Sequence, residues 1–385
     1  LDKGAKPAVV TAIAKYNFTE LTREIINDAM DVVGGSGISR GPRNVFANGY
    51  ISLPIAITVE GANILTRTLM IFGQGAIRCH PFALNEINAL TKGDSKAFDK
   101  NFWAHIGHVI KNKSRAFVLT LTRGYLAGSP VGGPSAKYIR KLSWASASFA
   151  FYADLALGSY GGALKMKEKI AGRYADILSH MYLAASTIRR FEAEGRLKED
   201  EIFFKWSMDY IFYQIQQSFD GILREIKVPG ISWVFRLAGV WSRLNPIGTY
   251  PSDKLGHKVA QAMQYIGEQR DRITENIFIP EEADEAVGRY EHTLKLITAA
   301  TPAYKKVYAA MKKRELPKAP VTELIAIARD KGIISEDEAN MMKMAEDART
   351  DAVQVDEFTL DEYLHQTPNA PLGKGLTTDE VLETT

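Results

Sequence analysis

Apolar positions along this chain recur mainly at the helical period. From Ile13, the residues Tyr16, Leu21, Ile25, Ala29 and Val33 return about once per turn, which predicts a first helix. Gly34-Gly35-Ser36-Gly37 ends it, and Gly41-Pro42 and Asn48-Gly49 mark a loop. Pro54 precedes a short apolar run to Val59. A second helix is predicted from Asn63 or Ile64 towards Cys79, with Pro81 interrupting it. Thr91–Ser95 reads as a linker before a helix from Phe102 that carries Ile106, Ile110 and Phe117. Gly128-Ser-Pro-Val-Gly-Gly-Pro134 is a cluster of helix breakers. The clearest amphipathic helix runs from about Arg173 to Glu194, with Ile177, Met181, Ala184, Ile188 and Phe191 on one face. The next, about Glu199 to Glu225, has two apolar stripes. Phe203, Trp206, Tyr210 and Tyr213 form one, and Ile211, Ile215, Phe219 and Leu223 the other, as in a bundle interior. Pro280-Glu281-Glu282 predicts a helix start, with Ala283, Val287, Tyr290, Leu294 and Ile297 as its apolar face. Ser335-Glu-Asp-Glu338 reads as a capping box before the Met341-Met342 helix. With no run of alternating strands, the fold class is all-α, built from helical bundles.

Composition narrows the class further. The 385 residues are ample for a sizeable core and for more than one domain. With 48 basic and 45 acidic groups the net charge is +3, too balanced to imply nucleic-acid binding. The single cysteine, Cys79, excludes an intramolecular disulfide framework and a cysteine-based zinc site. The least charged stretch, Leu142–Leu164, is rich in Ser, Ala and Gly, which favours a closely packed helix over a membrane span. After Asp351 the chain turns acidic and aperiodic, which predicts an extended or partly disordered tail over 351–385. The organisation expected is therefore 1–90, 91–350 and 351–385.

Candidate chemistry is sparse. Gly34-Gly35-Ser36-Gly37-Ile38 follows a helix rather than a strand, so it is neither a dinucleotide fingerprint nor a P-loop. It reads as a helix stop, or as a place where backbone approaches a phosphate or adenosine group. His105 and His108 lie three apart, but no nearby histidine or acid completes a ligand set, so no metal is expected. Val228–Tyr250 gathers Trp233, Phe235, Arg236, Trp241 and Arg243 in a segment too short and too charged to span a bilayer. It suits either an interfacial helix, with aromatic rings at headgroup level and arginines on phosphates, or a buried protein interface. Glu60 stands between the apolar run Ile55–Val59 and a helix start. An acid there favours the helix dipole. A carboxylate held among apolar groups is also a raised-pKa base suited to removing a proton from carbon.

Gly34-Gly35-x-Gly37, a loop, and then Val59-Glu60-Gly61-x-Asn63 with Arg67 resembles the C-terminal helical domain of acyl-CoA dehydrogenases. There a helix ends in a Gly-Gly turn and an aromatic-Glu-Gly-Thr motif follows; here 25 positions separate Gly35 from Glu60. The runs from Ile55 to Arg67 and from Met70 to Pro81 look like the large bacterial fatty-acid-oxidation type, which has a long helical C-terminal extension. Leu164-Lys-x-Lys-Glu-Lys and Gln354-Val-Asp-Glu-Phe358 also fit that subgroup.

The resemblance implies that Glu60 takes the α-proton of a fatty acyl-CoA while the β-hydride moves to N5 of FAD, giving a trans-2-enoyl-CoA. It implies that the Gly61 N–H binds the thioester carbonyl, that Asp31, Gly34 and Gly35 contact FAD from a neighbouring subunit, and that Ala62 and Ile64 stand at positions that usually contact the flavin through polar side chains. It further implies a homodimer, an acceptor such as an electron-transfer flavoprotein, and a cytoplasmic enzyme peripheral on the inner face of a bacterial membrane. The chain departs from the pattern at three places: Val59 replaces the aromatic residue, Ala62 the Thr, and Asp31 a common Gln. The family's N-terminal helical and middle β-domains have no counterpart, so a fragment inactive alone is expected. The rival expectation is a non-catalytic helical membrane-docking or adaptor module with a degenerate motif.

Overall fold

The computed structural model describes residues 4, 7, 9–44, 46–227, 232–360 and 364. Among them the chain is helical, with no β-strand. It divides into two compact units, each assembled from separate stretches of sequence. The first comprises 1–20 and 56–264, the second 21–55 and 265–385. Residue 90 lies inside the first unit. Helix α1 (Val10–Val33) belongs to the first unit through Glu20 and to the second from Leu21.

In the first unit, α3 (Asn63–Cys79) packs on α7 (Glu168–Ala193), and α7 packs most extensively on α8 (Glu201–Glu225). Helices α4 (Ala83–Lys92), α5 (Ser95–Leu121) and α6 (Pro134–Tyr160) follow one another in contact. Helices α9 (Ser232–Leu244) and α10 (Asp253–Met263) pack on α8. The helical spacing of α7 holds: Ile177, Ala184, Ile188 and Phe191 are buried. So are Ile211, Ile215, Phe219 and Leu223 of α8. Tyr174 lies at the centre of this core, stacked on Phe72 at 4.7 Å, with its hydroxyl donating to the Tyr152 carbonyl at 2.7 Å. A fully buried side chain of that size contributes roughly 1.5–3 kcal/mol, provided its polar tip is paired, as here.

The middle of α3, Thr66–Gln74, winds as a π-helix. Thr68 Oγ1 donates to the Ile64 carbonyl, and the Arg67 guanidinium pairs with Asp176 of α7 through two bonds, at 2.7 and 2.5 Å. This pair fixes α3 to α7. It needs Gly172, where an added Cβ would stand 2.9 Å from Arg67 Cζ.

The second unit includes the short α11 (Glu268–Thr274) and is built around α12 (Ala286–Lys312), α13 (Val321–Asp330) and α14 (Glu336–Val353). Val307, Leu324, Ala328 and Met342 form its centre. Ser335 and Glu338 make the reciprocal capping box expected at the start of α14.

The structure corrects four local expectations. Asn48-Gly49 is not a loop but lies in α2 (Phe46–Thr58), because Gly49 packs against α1: a Cβ there would stand 3.2 Å from Ile26 Cδ1. The expected linker at Thr91–Ser95 shrinks to two residues, Gly93 in the left-handed conformation and Asp94, whose carboxylate accepts from the Ala97 N–H. Helix α12 begins at Ala286, and Ala283 and Val287 are exposed. Gly288 instead meets the Glu282 carbonyl, so the acidic segment folds over the first helical turn and the buried face shifts to Ala286, Arg289 and Thr293. Helix α14 continues to Val353, and most of the tail expected to be extended or partly disordered, 361–363 and 365–385, lies outside the described residues.

Candidate active site

Glu60 and Gly61 form the tight turn between α2 and α3. Both have left-handed backbones, with φ of 56° and 89°. Glycine adopts that conformation freely, whereas a side-chain-bearing residue pays roughly 1 kcal/mol. The turn is held by α1. Lys15 Nζ donates to the Gly61 carbonyl at 2.8 Å and to Asn63 Oδ1 at 2.5 Å. Thr66 Oγ1 donates to the same Gly61 carbonyl at 3.0 Å. Asn63 is buried and saturated, its amide donating to Thr19 Oγ1 at 2.9 Å and Glu20 Oε1 at 2.7 Å. Sequence reasoning missed Lys15 and Asn63 as supports, because one is 46 positions from the carbonyl it holds.

The side chain of Glu60 is exposed, and no described residue hydrogen-bonds it. Val59 and Ile64 beside it are exposed too. The apolar run therefore does not enclose the carboxylate within this chain; it presents an open apolar rim around it.

The expected flavin residues fall into two groups. Ala62 and Ile64 adjoin Glu60 in the first unit, and neither offers a polar side chain. Asp31, Gly34 and Gly35 belong to the second unit. Asp31 is exposed at the end of α1, and Gly34 is left-handed with φ of 63°. A Cβ at Gly34 or Gly35 would meet nothing within 4 Å, so this backbone is open to close approach by a flat or phosphate-bearing group. That fits a nucleotide cofactor laid against the turn.

Of the residues expected at a membrane or protein interface, Trp233 (62% exposed), Arg236, Trp241 (44%) and Arg243 lie on the surface of α9. Phe235 is a correction: it is 2% exposed and packs inward, its ring 6.2 Å from that of Tyr152. Val228–Ile231, the start of that stretch, lies outside the described residues. Phe117 and Leu121 of α5 join Val234, Leu237 and Trp241 around a groove of about 580 Å³. Among the described residues, no single helix is long and apolar enough to cross a membrane.

A second polar centre was not legible from spacing. His105 has partners after all, but from other helices: Nδ1 donates to Glu86 of α4 at 2.9 Å, and Nε2 faces Asp154 of α6 at 3.6 Å. His80 Nε2 donates to the same Asp154 at 2.9 Å. His108 is hydrogen-bonded to Asn112 at 2.8 Å, and burial holds its pKa below the ordinary histidine value. Glu86, His105 and Asp154 line a largely apolar cavity of about 690 Å³ with Phe72, Phe102 and Phe151.

Comparison with known proteins covers nearly the whole chain. No solved structure matches it. Residues 1–71 match the family described as acyl-CoA dehydrogenase, C-terminal domain, and residues 77–358 match acyl-CoA dehydrogenase, C-terminal, bacterial type. The strained Glu60-Gly61 turn lies within the first match and the His80–Asp154 cluster within the second, and on the extent of these matches the chain belongs to the acyl-CoA dehydrogenase family.

Proposed function

We propose that this chain carries the catalytic base of an FAD-dependent dehydrogenase that converts fatty acyl-CoA to trans-2-enoyl-CoA. The observation that carries the reading is the backbone of Glu60. Arg123-Gly124 shares this left-handed backbone with an exposed first residue, but the Glu60 turn alone of the two presents a carboxylate, and it lies in the stretch that matches the acyl-CoA dehydrogenase C-terminal domain, which supports a residue placed for use. Its carboxylate takes the proton from the carbon next to the thioester carbonyl. The Gly61 N–H donates to that carbonyl, favouring the negative charge that develops on its oxygen. Lys15, Asn63 and Thr66 hold the turn so that both groups keep their positions. FAD, when bound, supplies the acceptor for the β-hydride. Ala62 and Ile64 would meet it through main-chain contacts alone, while Asp31, Gly34 and Gly35 would approach the FAD of a neighbouring subunit. The exposed apolar rim at Val59 and Ile64 suits an acyl chain once other surfaces of the enzyme cover the turn.

The same reading takes the enzyme to be a homodimer passing electrons to an acceptor such as an electron-transfer flavoprotein. It works on the inner face of a bacterial membrane, with α9 at the headgroups. The test is Glu60→Gln in the flavin-loaded enzyme that contains this chain. Loss of a general base costs about 100-fold or more, so acyl-CoA-dependent bleaching of the flavin is expected to slow at least that much while flavin content holds. Bleaching at the wild-type rate would remove Glu60 as the base and favour a helical adaptor that keeps a degenerate motif.

A further inference from the structure

We propose that His105 and Asp154 bind a divalent transition-metal cation of the zinc type, independently of the Glu60 turn. His105 Nε2 and Asp154 Oδ2 are buried polar atoms with no hydrogen-bond partner among the described residues. The Asp154 side chain is only 4% exposed. Buried polar atoms without partners, on side chains that approach within 3.6 Å of each other, leave a local demand for positive charge. Glu86 holds His105 from behind: its carboxylate accepts from Nδ1–H, and in the neutral ring this leaves the Nε2 lone pair free for a metal. That lone pair stands 3.6 Å from Asp154 Oδ1, beyond hydrogen-bonding distance. A zinc ion at about 2.0–2.2 Å from each ligand, with a near-tetrahedral angle, separates ligand atoms by about 3.4 Å. The observed gap therefore has the width of a metal-bridged pair.

His80 lies close enough to count as a third ligand, all three groups' atoms falling within 4.8 Å of one another. Its own hydrogen bonds assign it a different part. The N–H groups of Phe82 and Ala83 both donate to His80 Nδ1, at 3.2 and 2.9 Å, so the proton sits on Nε2 and points at Asp154. His80 orients the carboxylate as Glu86 orients the imidazole. His105 and Asp154 both line the apolar cavity, so with two protein ligands the site would be open, with water completing the coordination.

Zinc chloride titrated calorimetrically into tag-free protein in a Cys79→Ser background, which removes the exposed thiol as a competitor, tests the proposal. One equivalent is expected to bind, and cobalt to give visible d–d absorption. His105→Gln and Asp154→Asn are expected to abolish binding. Glu86→Gln should weaken it about 10- to 100-fold with the circular-dichroism spectrum unchanged, while His257→Gln, on the surface, should leave it intact. Failure of the parent protein to bind zinc or cobalt at pH 8 overturns the proposal. So does binding that survives in folded His105→Gln or Asp154→Asn, and so does NMR showing that a second proton on His105 fills the gap.

Discussion

Glu60 works against the stability of its own turn. Its left-handed φ serves no packing purpose, since the side chain is exposed. Glu60→Gly is therefore expected to stabilise the chain by up to about 1 kcal/mol, the left-handed cost less the extra entropy of glycine. The same change removes the proposed base. A rise in the urea midpoint together with lost activity would show strain retained for function; a fall in the midpoint would mean that Glu60 supports the turn after all. At this scale the sequence showed the contiguous part of each site and little more. Glu60-Gly61 was visible because the motif is unbroken. Asn63 was visible only as a motif position, and its saturation by Lys15, Thr19 and Glu20 depends on packing against α1. Asp154 and His80 lie 74 positions apart, so no local pattern could join them.

At the scale of one element, α9 shows how much a helical period can decide. At 100° per residue, Trp233, Leu237, Trp241 and Leu244 lie within about 80° of arc, whereas Phe235 points about 160–200° away from Trp233. The structure follows this: the four are exposed and Phe235 is buried. Arg236 and Arg243 share one flank of the stripe and are exposed as well. The aromatic content was legible, but its division between core and surface required the period rather than the composition. If α9 lies at headgroup level, replacing both Trp233 and Trp241 by Ser should lower co-sedimentation with anionic vesicles about tenfold or more. High salt should weaken what remains, because Arg236 and Arg243 act through screened charge. Unchanged co-sedimentation of the double variant would remove α9 as the membrane contact. Phe235→Ala belongs to a different class and should cost about 3–5 kcal/mol of stability through the cavity it leaves.

Across the whole molecule, the all-α class and the long helices α7 and α8 were legible because their apolar positions recur over about four to six turns, where local and tertiary preferences agree. The division into units drawn from discontinuous stretches was not, since periodicity says which face is buried but not against what. The same limit hid Lys141, an apparently ordinary surface lysine of α6. The first unit's packing brings it over the Phe212 ring, at 5.5 Å. Burial, aided by Lys137 and opposed by Asp209, pushes its pKa down to about 8 from the ordinary 10.5. Below pH 8 both folded and unfolded chains hold the proton, and the fold bears the full cost of burying an ammonium group. Between about pH 8 and 10.5 the unfolded chain holds the proton more often than the folded one, so this residue's contribution to stability rises with pH. Lys141→Met removes the group. It should make the protein more stable than wild type at pH 7, with the gap closing by up to about 3 kcal/mol as pH approaches 10. Urea unfolding of both proteins at the two pH values measures this, and a gap that stays constant would mean that the ammonium reaches solvent in the folded chain.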